Sequence, residues 1–142
     1  MVRRALTILE LEIPGDVRYV SLVRKSVKFL AASMGFQGED LDDIEIATAE
    51  AVTNAIIHGT PTGSEGRINI RCHDGHGRFV VEVEDCGNGC VTHQKESAII
   101  EGEHGRGIFI IEALMDDARA LTDAHGTTIK MTKRKELLRK SA

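Results

Sequence analysis

The sequence predicts an α+β fold, a two-layer sandwich of helices on a mixed β-sheet. Hydrophobic periodicity gives the element order β, α, α, β, β, loop, α, β, β. Strands outnumber crossover helices and most neighbouring strands are joined as hairpins, which favours α+β over a wound parallel sheet. A chain of 142 residues with 42% hydrophobic and 28% charged residues is also long enough to bury one core.

The first strand and helix are predicted from a change of periodicity at Pro14. Residues 5–13 alternate between apolar and charged or polar side chains, which is the pattern of a strand. Asp16 then suits the N-cap of a helix, because apolar residues follow at helical spacing up to Gly35.

The second helix is predicted from Glu39 to His58, with Gly59 after its end. Acidic residues in its first turn complement the positive end of the helix dipole. One arc of the helix is expected to face the core: Leu41, Ile44, Thr48, Ala51, Val52 and Ala55. Beside that arc, Glu50, Asn54 and His58 form a polar stripe at a spacing of four residues.

The second half of the chain predicts two strand pairs around a third helix. Strands at 67–73 and 79–85 are joined by a glycine-rich turn, and a closing pair is expected at 118–122 and 127–132. A helix from 108 to about 116 lies between the two pairs.

Charge and hydropathy exclude several classes of protein. The net charge of −4 and pI near 5.9 have the wrong sign for a dedicated nucleic-acid binder. The apolar run at 108–115 is interrupted by Glu112 and is too short to cross a membrane. We expect a cytoplasmic protein with no direct nucleic-acid or membrane partner.

The chain is predicted to divide into one domain, residues 1–132, and a basic C-terminal tail, residues 133–142. Residues 133–140 carry five basic side chains and one acidic one, a charge of +4, so the rest of the chain sums to −8. The tail is interpreted as a solvated end of the chain.

Three cysteines are present, and reduced thiols are the simplest interpretation. An alternative is a zinc site formed by Cys86, Cys90 and His93, with His73 or Cys72 as the fourth ligand. The spacing matches no common structural zinc motif, and a glycine turn explains the segment better.

Three short segments contain residues suited to one ligand. Gly105-Arg106-Gly107 before a helix offers backbone N–H groups to phosphate, although a Gly-x-Gly segment at this place is often only a tight turn. Asp85 ends an apolar row and needs a donor, either in its own turn or in the amino group of a ligand. Glu50 and Asn54 lie one helical turn apart. They suit a hard cation, or they form a polar pair that is hydrogen-bonded to neighbouring residues.

These segments resemble, in the same order, the motifs of the GHKL ATPases, which share the Bergerat fold. Residues 47–59, ATAEAVTNAIIHG, resemble the N-box, and Asp85-x-Gly87-x-Gly89 resembles the first glycine box. Residues 104–116 resemble the second glycine box, and Gly126-Thr127-Thr128 the closing threonine motif. Within this superfamily, the sequences of these motifs are most similar to those of the bacterial anti-sigma-factor serine kinases.

The resemblance implies an ATP site. Asp85 would accept from the adenine amino group, supported by the hydroxyl of Thr127 or Thr128, and Gly87 and Gly89 would shape that side of the pocket. On the phosphate side the implied residues are Asn54 as the Mg²⁺ ligand, Glu50 as general base, Gly105 and Gly107 as N–H donors, and Arg106 as a neutralising charge. His58 is interpreted as a helix cap, and residues 91–103 as the lid.

The resemblance also implies partners: a sigma factor, an anti-sigma-factor antagonist of the STAS class, and a second copy of the chain in a homodimer. The expected reaction is transfer of phosphate from Mg-ATP to a serine of the antagonist. The alternative is a GHKL module in which ATP only switches a partner-binding face. A detached histidine-kinase domain is disfavoured, since nothing before residue 5 resembles a phosphoacceptor helix.

Overall fold

The computed structural model describes residues 6–59, 66–86, 105–123 and 126–136. These residues form three α-helices and five strands. In chain order the elements are β1 Leu6–Pro14, α1 Val20–Ser33, α2 Glu39–Gly59, β2 Arg67–Asp74, β3 Arg78–Cys86, α3 Gly105–Leu114, β4 Asp117–Asp123 and β5 Gly126–Arg134. A 3-10 turn, Val17–Tyr19, precedes α1.

The sheet has the strand order β1-β2-β3-β5-β4 and confirms the predicted α+β sandwich. Its described strands pair antiparallel throughout, so the expectation of a mixed sheet is wrong. β4 does run parallel to β3, but β5 inserts between them and is antiparallel to both.

The core lies between the sheet and α2, which is the central helix of the helical layer. The buried residues of α2 are Ile44, Ala47, Thr48, Ala51, Val52, Ala55 and Ile56. Compared with the predicted core arc, the buried set gains Ala47 and Ile56. Leu41, the first residue of the predicted arc, is only partly buried. Phe79, Val81 and Val83 of β3 are also buried, which places the last residue of their row, Asp85, on the helix side of the sheet.

Two helix ends depend on local chemistry. The Asp16 carboxylate accepts from the backbone N–H of Arg18 at 3.0 Å, which caps the 3-10 turn and lowers the pKa of Asp16. α3 begins at Gly105, three residues before the predicted start, so the Gly-Arg-Gly segment forms its first turn.

None of the helices in the described ranges is long and apolar enough to cross a membrane.

The predicted boundary between domain and tail at residue 133 falls inside a strand. β5 continues to Arg134, and Lys133 is only 3% exposed. The Lys133 ammonium contacts Asp43 Oδ2 at 3.0 Å and the carbonyl oxygen of Leu114, and it lies 3.8 Å from Asp40 Oδ1. Lys133 therefore joins β5 to the start of α2 and the end of α3. Residues 137–142 lie outside the described residues.

Replacing Lys133 is expected to destabilise the fold. Lys133→Met removes the cation that contacts Asp43 Oδ2 and lies near Asp40 Oδ1, and it removes the donor to the Leu114 carbonyl oxygen at the end of α3. We expect a loss of roughly 2–4 kcal/mol in the free energy of unfolding, measured by urea denaturation. Lys130→Met, on the other face of β5, is the control and should change stability by less than about 1 kcal/mol. Equal losses in the two variants would contradict the assigned role of Lys133.

Candidate functional site

A pocket opens where the C-terminal half of α2 meets the end of β3 and the beginning of β5. Its empty volume is about 320 Å³, part of it open to solvent. The residues lining it are Asn54, Ala55, His58, Gly59, Val83, Asp85, Thr127 and Ile129. Three predicted site residues from distant parts of the chain, Asn54, Asp85 and Thr127, are therefore brought together.

Asp85 is the buried acidic group of this pocket, with 7% of its surface exposed. Its Oδ2 accepts from the backbone N–H of Thr127 at 3.1 Å. A carboxylate has about four acceptor positions, so it can accept from several donors at once. The inward orientation predicted from the alternation along β3 is confirmed.

Two glycines enclose Asp85. A Cβ added to Gly59 would lie 2.5 Å from both Cβ and Cγ of Asp85, which is too close for any side chain. A Cβ on Gly126 would collide with the Asp85 carbonyl oxygen and Oδ1, and Gly126 also has a φ of +153°. The end of α2 and the start of β5 can reach the carboxylate only because both residues are glycines.

Asn54 joins the same pocket to the start of α3. A Cβ on Gly107 would lie 2.9 Å from Cγ and 3.0 Å from Oδ1 of Asn54, so the glycine allows the two helices to touch here. Within the described ranges, Asn54 Nδ2 is buried without a hydrogen-bond partner. A buried amide in that state favours a polar ligand beside it.

Glu50 lies on α2 one turn before Asn54, about 6 Å back along the helix axis. It is partly buried and makes no hydrogen bond or ion pair with another described residue. Glu50 does not line the pocket itself. Its place on the helix is one turn from Asn54, the pocket residue that lies against Gly107 of α3.

The two threonines of the closing motif lie on opposite faces of β5. Thr127 faces the pocket, but its hydroxyl lies 3.1 Å from that of Thr122, and its backbone N–H is the group that contacts Asp85. Thr128 is buried on the outer face of the sheet, where its hydroxyl donates to Glu84 at 3.3 Å. The expected hydroxyl support for Asp85 is thus replaced by a backbone donor, and Thr128 is not brought to the pocket.

Several predicted positions lie outside the described residues. These are Gly87 and Gly89, the lid at 91–103, and the side chain of Arg106. His58 lines the pocket from the last turn of α2 and is exposed. The backbone of Gly105 begins α3, so its N–H is one of those left unbonded at the start of the helix.

The zinc interpretation finds no support in the part of the chain that the structure describes. No cluster of three metal-binding side chains occurs there, and Cys72 is fully buried in the core. Burial raises the pKa of the Cys72 thiol to about 12, so it stays protonated. Cys90, His93 and the side chain of Cys86 lie outside the described residues.

The sequence predicts Gly59 only as the residue that ends a helix, and it predicts no separate role for Gly126. The signal in the sequence is that Gly59 is the last residue of the N-box and Gly126 is the first residue of the threonine motif. Their contact with Asp85 needed the fold, because 26 residues separate Gly59 from Asp85 and 41 separate Asp85 from Gly126.

The pocket, the buried carboxylate and the glycines at the start of α3 define a nucleotide-binding domain of the ATPase class. The family model described as "Histidine kinase-like ATPase domain" matches residues 13–133, and the chain belongs to that family.

Within this family the chain is similar to proteins named serine-protein kinase RsbW. It is 30% identical to the one from Bacillus licheniformis over 92% of this chain and 88% of that protein. It is 34% identical to the one from Listeria innocua serovar 6a, over 88% of this chain and 85% of that protein. Identity and coverage at this level place the chain among the RsbW serine-protein kinases.

Solved structures agree with this assignment. The structure of the RsbU and RsbW domains of Rv1364c from Mycobacterium tuberculosis matches 89% of this chain and 32% of that one, with a TM-score of 0.64 and 27% identity. The histidine kinase domain of a blue-light activated kinase from Erythrobacter litoralis, at 18% identity and a TM-score of 0.57, supports the fold alone.

Gly126→Ala is expected to lower the free energy of unfolding by roughly 2–4 kcal/mol, because the methyl group meets Asp85 and φ is unfavourable for alanine. Gly75→Ala is the matched control, since its Cβ would lie 3.5 Å from the Arg78 carbonyl oxygen, an ordinary contact. Denaturant titration of both variants measures the difference. A Gly126→Ala protein as stable as the control would show that the enclosure of Asp85 is not tight.

Proposed function

We propose that the protein is an anti-sigma factor with serine-protein kinase activity that binds Mg-ATP. In this proposal it phosphorylates a serine of an antagonist of the STAS class and sequesters a sigma factor. The observation that carries the proposal is the convergence of Asn54, Asp85 and Thr127 on one pocket, with Glu50 one turn away. The names of the relatives support the same activity.

The adenine is assigned to the Asp85 end of the pocket. Asp85 accepts from the adenine amino group, and the N–H of Thr127 holds the carboxylate in the required orientation. Val83 and Ile129 supply apolar surface at this end for the flat base. Gly87 and Gly89 are assigned to the same side of the base on the family resemblance.

The phosphates are assigned to the junction of α2 and α3. Backbone N–H groups of Gly105 and Gly107, at the positive end of α3, donate to phosphate oxygens, and Arg106 neutralises charge on the transferring group. The amide oxygen of Asn54 suits Mg²⁺, and its unpartnered Nδ2 indicates room for a polar ligand. When bound, Mg²⁺ supplies positive charge that favours phosphoryl transfer.

Glu50 is assigned as the general base that takes the proton of the substrate serine. Its carboxylate is not held by another described residue, so it can turn toward an incoming hydroxyl. A module that only switches with ATP requires the base pocket and the metal ligand but no such carboxylate. Glu50 therefore favours phosphotransfer over a binding switch.

The proposal includes a homodimer and a cytoplasmic location. The homodimer rests on the family resemblance, and the location rests on the hydropathy of the sequence. The acidic balance of the chain, −4 overall, suits contacts with basic surfaces of partners.

Glu50→Gln is expected to reduce phosphotransfer to the antagonist by roughly 10²–10⁴-fold, because the amide cannot accept the serine proton. ATP affinity should stay within about twofold of the parent, since Glu50 does not line the pocket. Transfer of radiolabelled phosphate and binding of a fluorescent ATP analogue measure the two effects. Glu45→Gln, on the α1 side of the same helix, is the control, and equal transfer by both variants would remove Glu50 from its role.

Asp85→Asn is expected to weaken ATP binding by roughly tenfold or more. The Thr127 N–H would hold the amide oxygen, so the amide NH₂ would face the adenine amino group, donor against donor. GTP, which presents a carbonyl at that position of the base, should not be weakened. Calorimetric titration compares the two nucleotides, with Asp74→Asn in the hairpin as control. Equal loss of both nucleotides would contradict the adenine assignment.

A further inference from the structure

The outer face of the sheet, on the side away from the helices, carries a basic groove. It runs across β3, β5 and β4 and is lined by Arg78, Val80, Asp117, Arg119, Lys130, Thr132 and Arg134. We name it the outer basic groove. It is separated from the nucleotide pocket by the thickness of the sheet, and nothing in the proposed function uses it.

Like charges lie directly opposite each other in this groove. Arg78 of β3 pairs in register with Arg134 of β5, and Arg119 of β4 pairs with Lys130 of β5. Cross-strand pairs of like charge destabilise a sheet. Two such pairs, on a chain whose net charge is −4, are an arrangement that the fold itself does not favour.

The nearby carboxylates neutralise the groove only in part. Asp117 pairs with Arg119 at 3.2 Å. Glu82, which is in register with Lys130, is bound by Arg71 at 3.2 Å on its other side. Among the described residues, no carboxylate lies within 4.0 Å of the side-chain nitrogens of Arg78, Lys130 or Arg134.

Arg134 gives a second indication. Its Nε is buried and has no hydrogen-bond partner within the described ranges, while its backbone N–H donates to Asp116 at 2.6 Å. A buried guanidinium nitrogen without an acceptor is unfavourable unless an acceptor is supplied from outside. The groove is therefore suited to an anionic partner.

The spacing of the charges indicates which kind of anion. Between the two basic pairs, Thr132 of β5 is in register with Val80 on one side and with Asp117 on the other, and the pairs are four residues apart along β5. This is about 13–14 Å along the strand, too far for one phosphate to bridge. Carboxylates on every fourth residue of an extended chain recur at about 13–14 Å, so they meet both basic pairs and leave an uncharged residue beside Asp117.

We propose that the outer basic groove is a docking site for an acidic, extended segment of a partner protein. Its carboxylates pair with Arg119 and Lys130 at one end and with Arg78 and Arg134 at the other. The docking site is independent of the proposed kinase activity, because it lies on the opposite face of the sheet.

The test uses the full chain and a fluorescein-labelled peptide with Glu at every fourth residue and Thr at the positions between them. Fluorescence anisotropy at low ionic strength measures its affinity for the parent and for the double variant Arg119→Gln, Lys130→Gln. We expect the double variant to bind roughly tenfold more weakly or worse. The control is the double variant Lys25→Gln, Arg67→Gln, which removes the same charge from exposed positions outside the groove and should stay within about twofold of the parent.

Four results would overturn the proposal: no binding to the parent, equal affinity of the two double variants, competition by ATP, or displacement of the peptide by an equal concentration of inorganic phosphate. Displacement by phosphate would identify a small-anion site instead. Circular dichroism checks that each variant is folded. Should the groove variant not fold, the single variant Arg78→Gln decides, with weaker peptide binding expected and unchanged binding counting against the groove.

Discussion

The site depends on the contact between Asp85 and the two glycines that enclose it. A buried carboxylate is unfavourable without donors, and here the backbone N–H of Thr127 provides one. Gly59 and Gly126 bring the end of α2 and the start of β5 to the carboxylate, so three distant segments meet at a single acidic group. The pocket exists because these segments meet.

The other half of the site depends on a similar close contact, between a glycine of α3 and a side chain of α2. Gly107 lets the start of α3 contact Asn54, which fixes the distance between the N-box helix and the second glycine box. Lys133 holds the far end of α3 through the Leu114 carbonyl oxygen and also contacts Asp43 at the start of α2. Both ends of α3 are therefore positioned relative to α2, the helix that carries Glu50 and Asn54.

Much of this could be predicted from the sequence. Period-two alternation placed Asp85 on the inner face of β3, and helical spacing placed Glu50 and Asn54 beside the buried arc of α2. The insertion of β5 between β3 and β4 could not be predicted, because strand order is decided by pairing between distant segments. The burial of Lys133 could not be predicted either, because its basic neighbours in the sequence resemble a solvated tail. Its partners come from distant segments, α2 and α3.

The two faces of the sheet differ in chemistry, with the nucleotide pocket on the helix side and the like-charge pairs on the other. A crystal structure with a non-hydrolysable ATP analogue and Mg²⁺ would show whether the nucleotide binds on the helix side. We expect the adenine amino nitrogen to lie about 3 Å from the Asp85 carboxylate, within ordinary hydrogen-bond distance. A base that binds away from Asp85, with its phosphates not at the start of α3, would contradict this expectation.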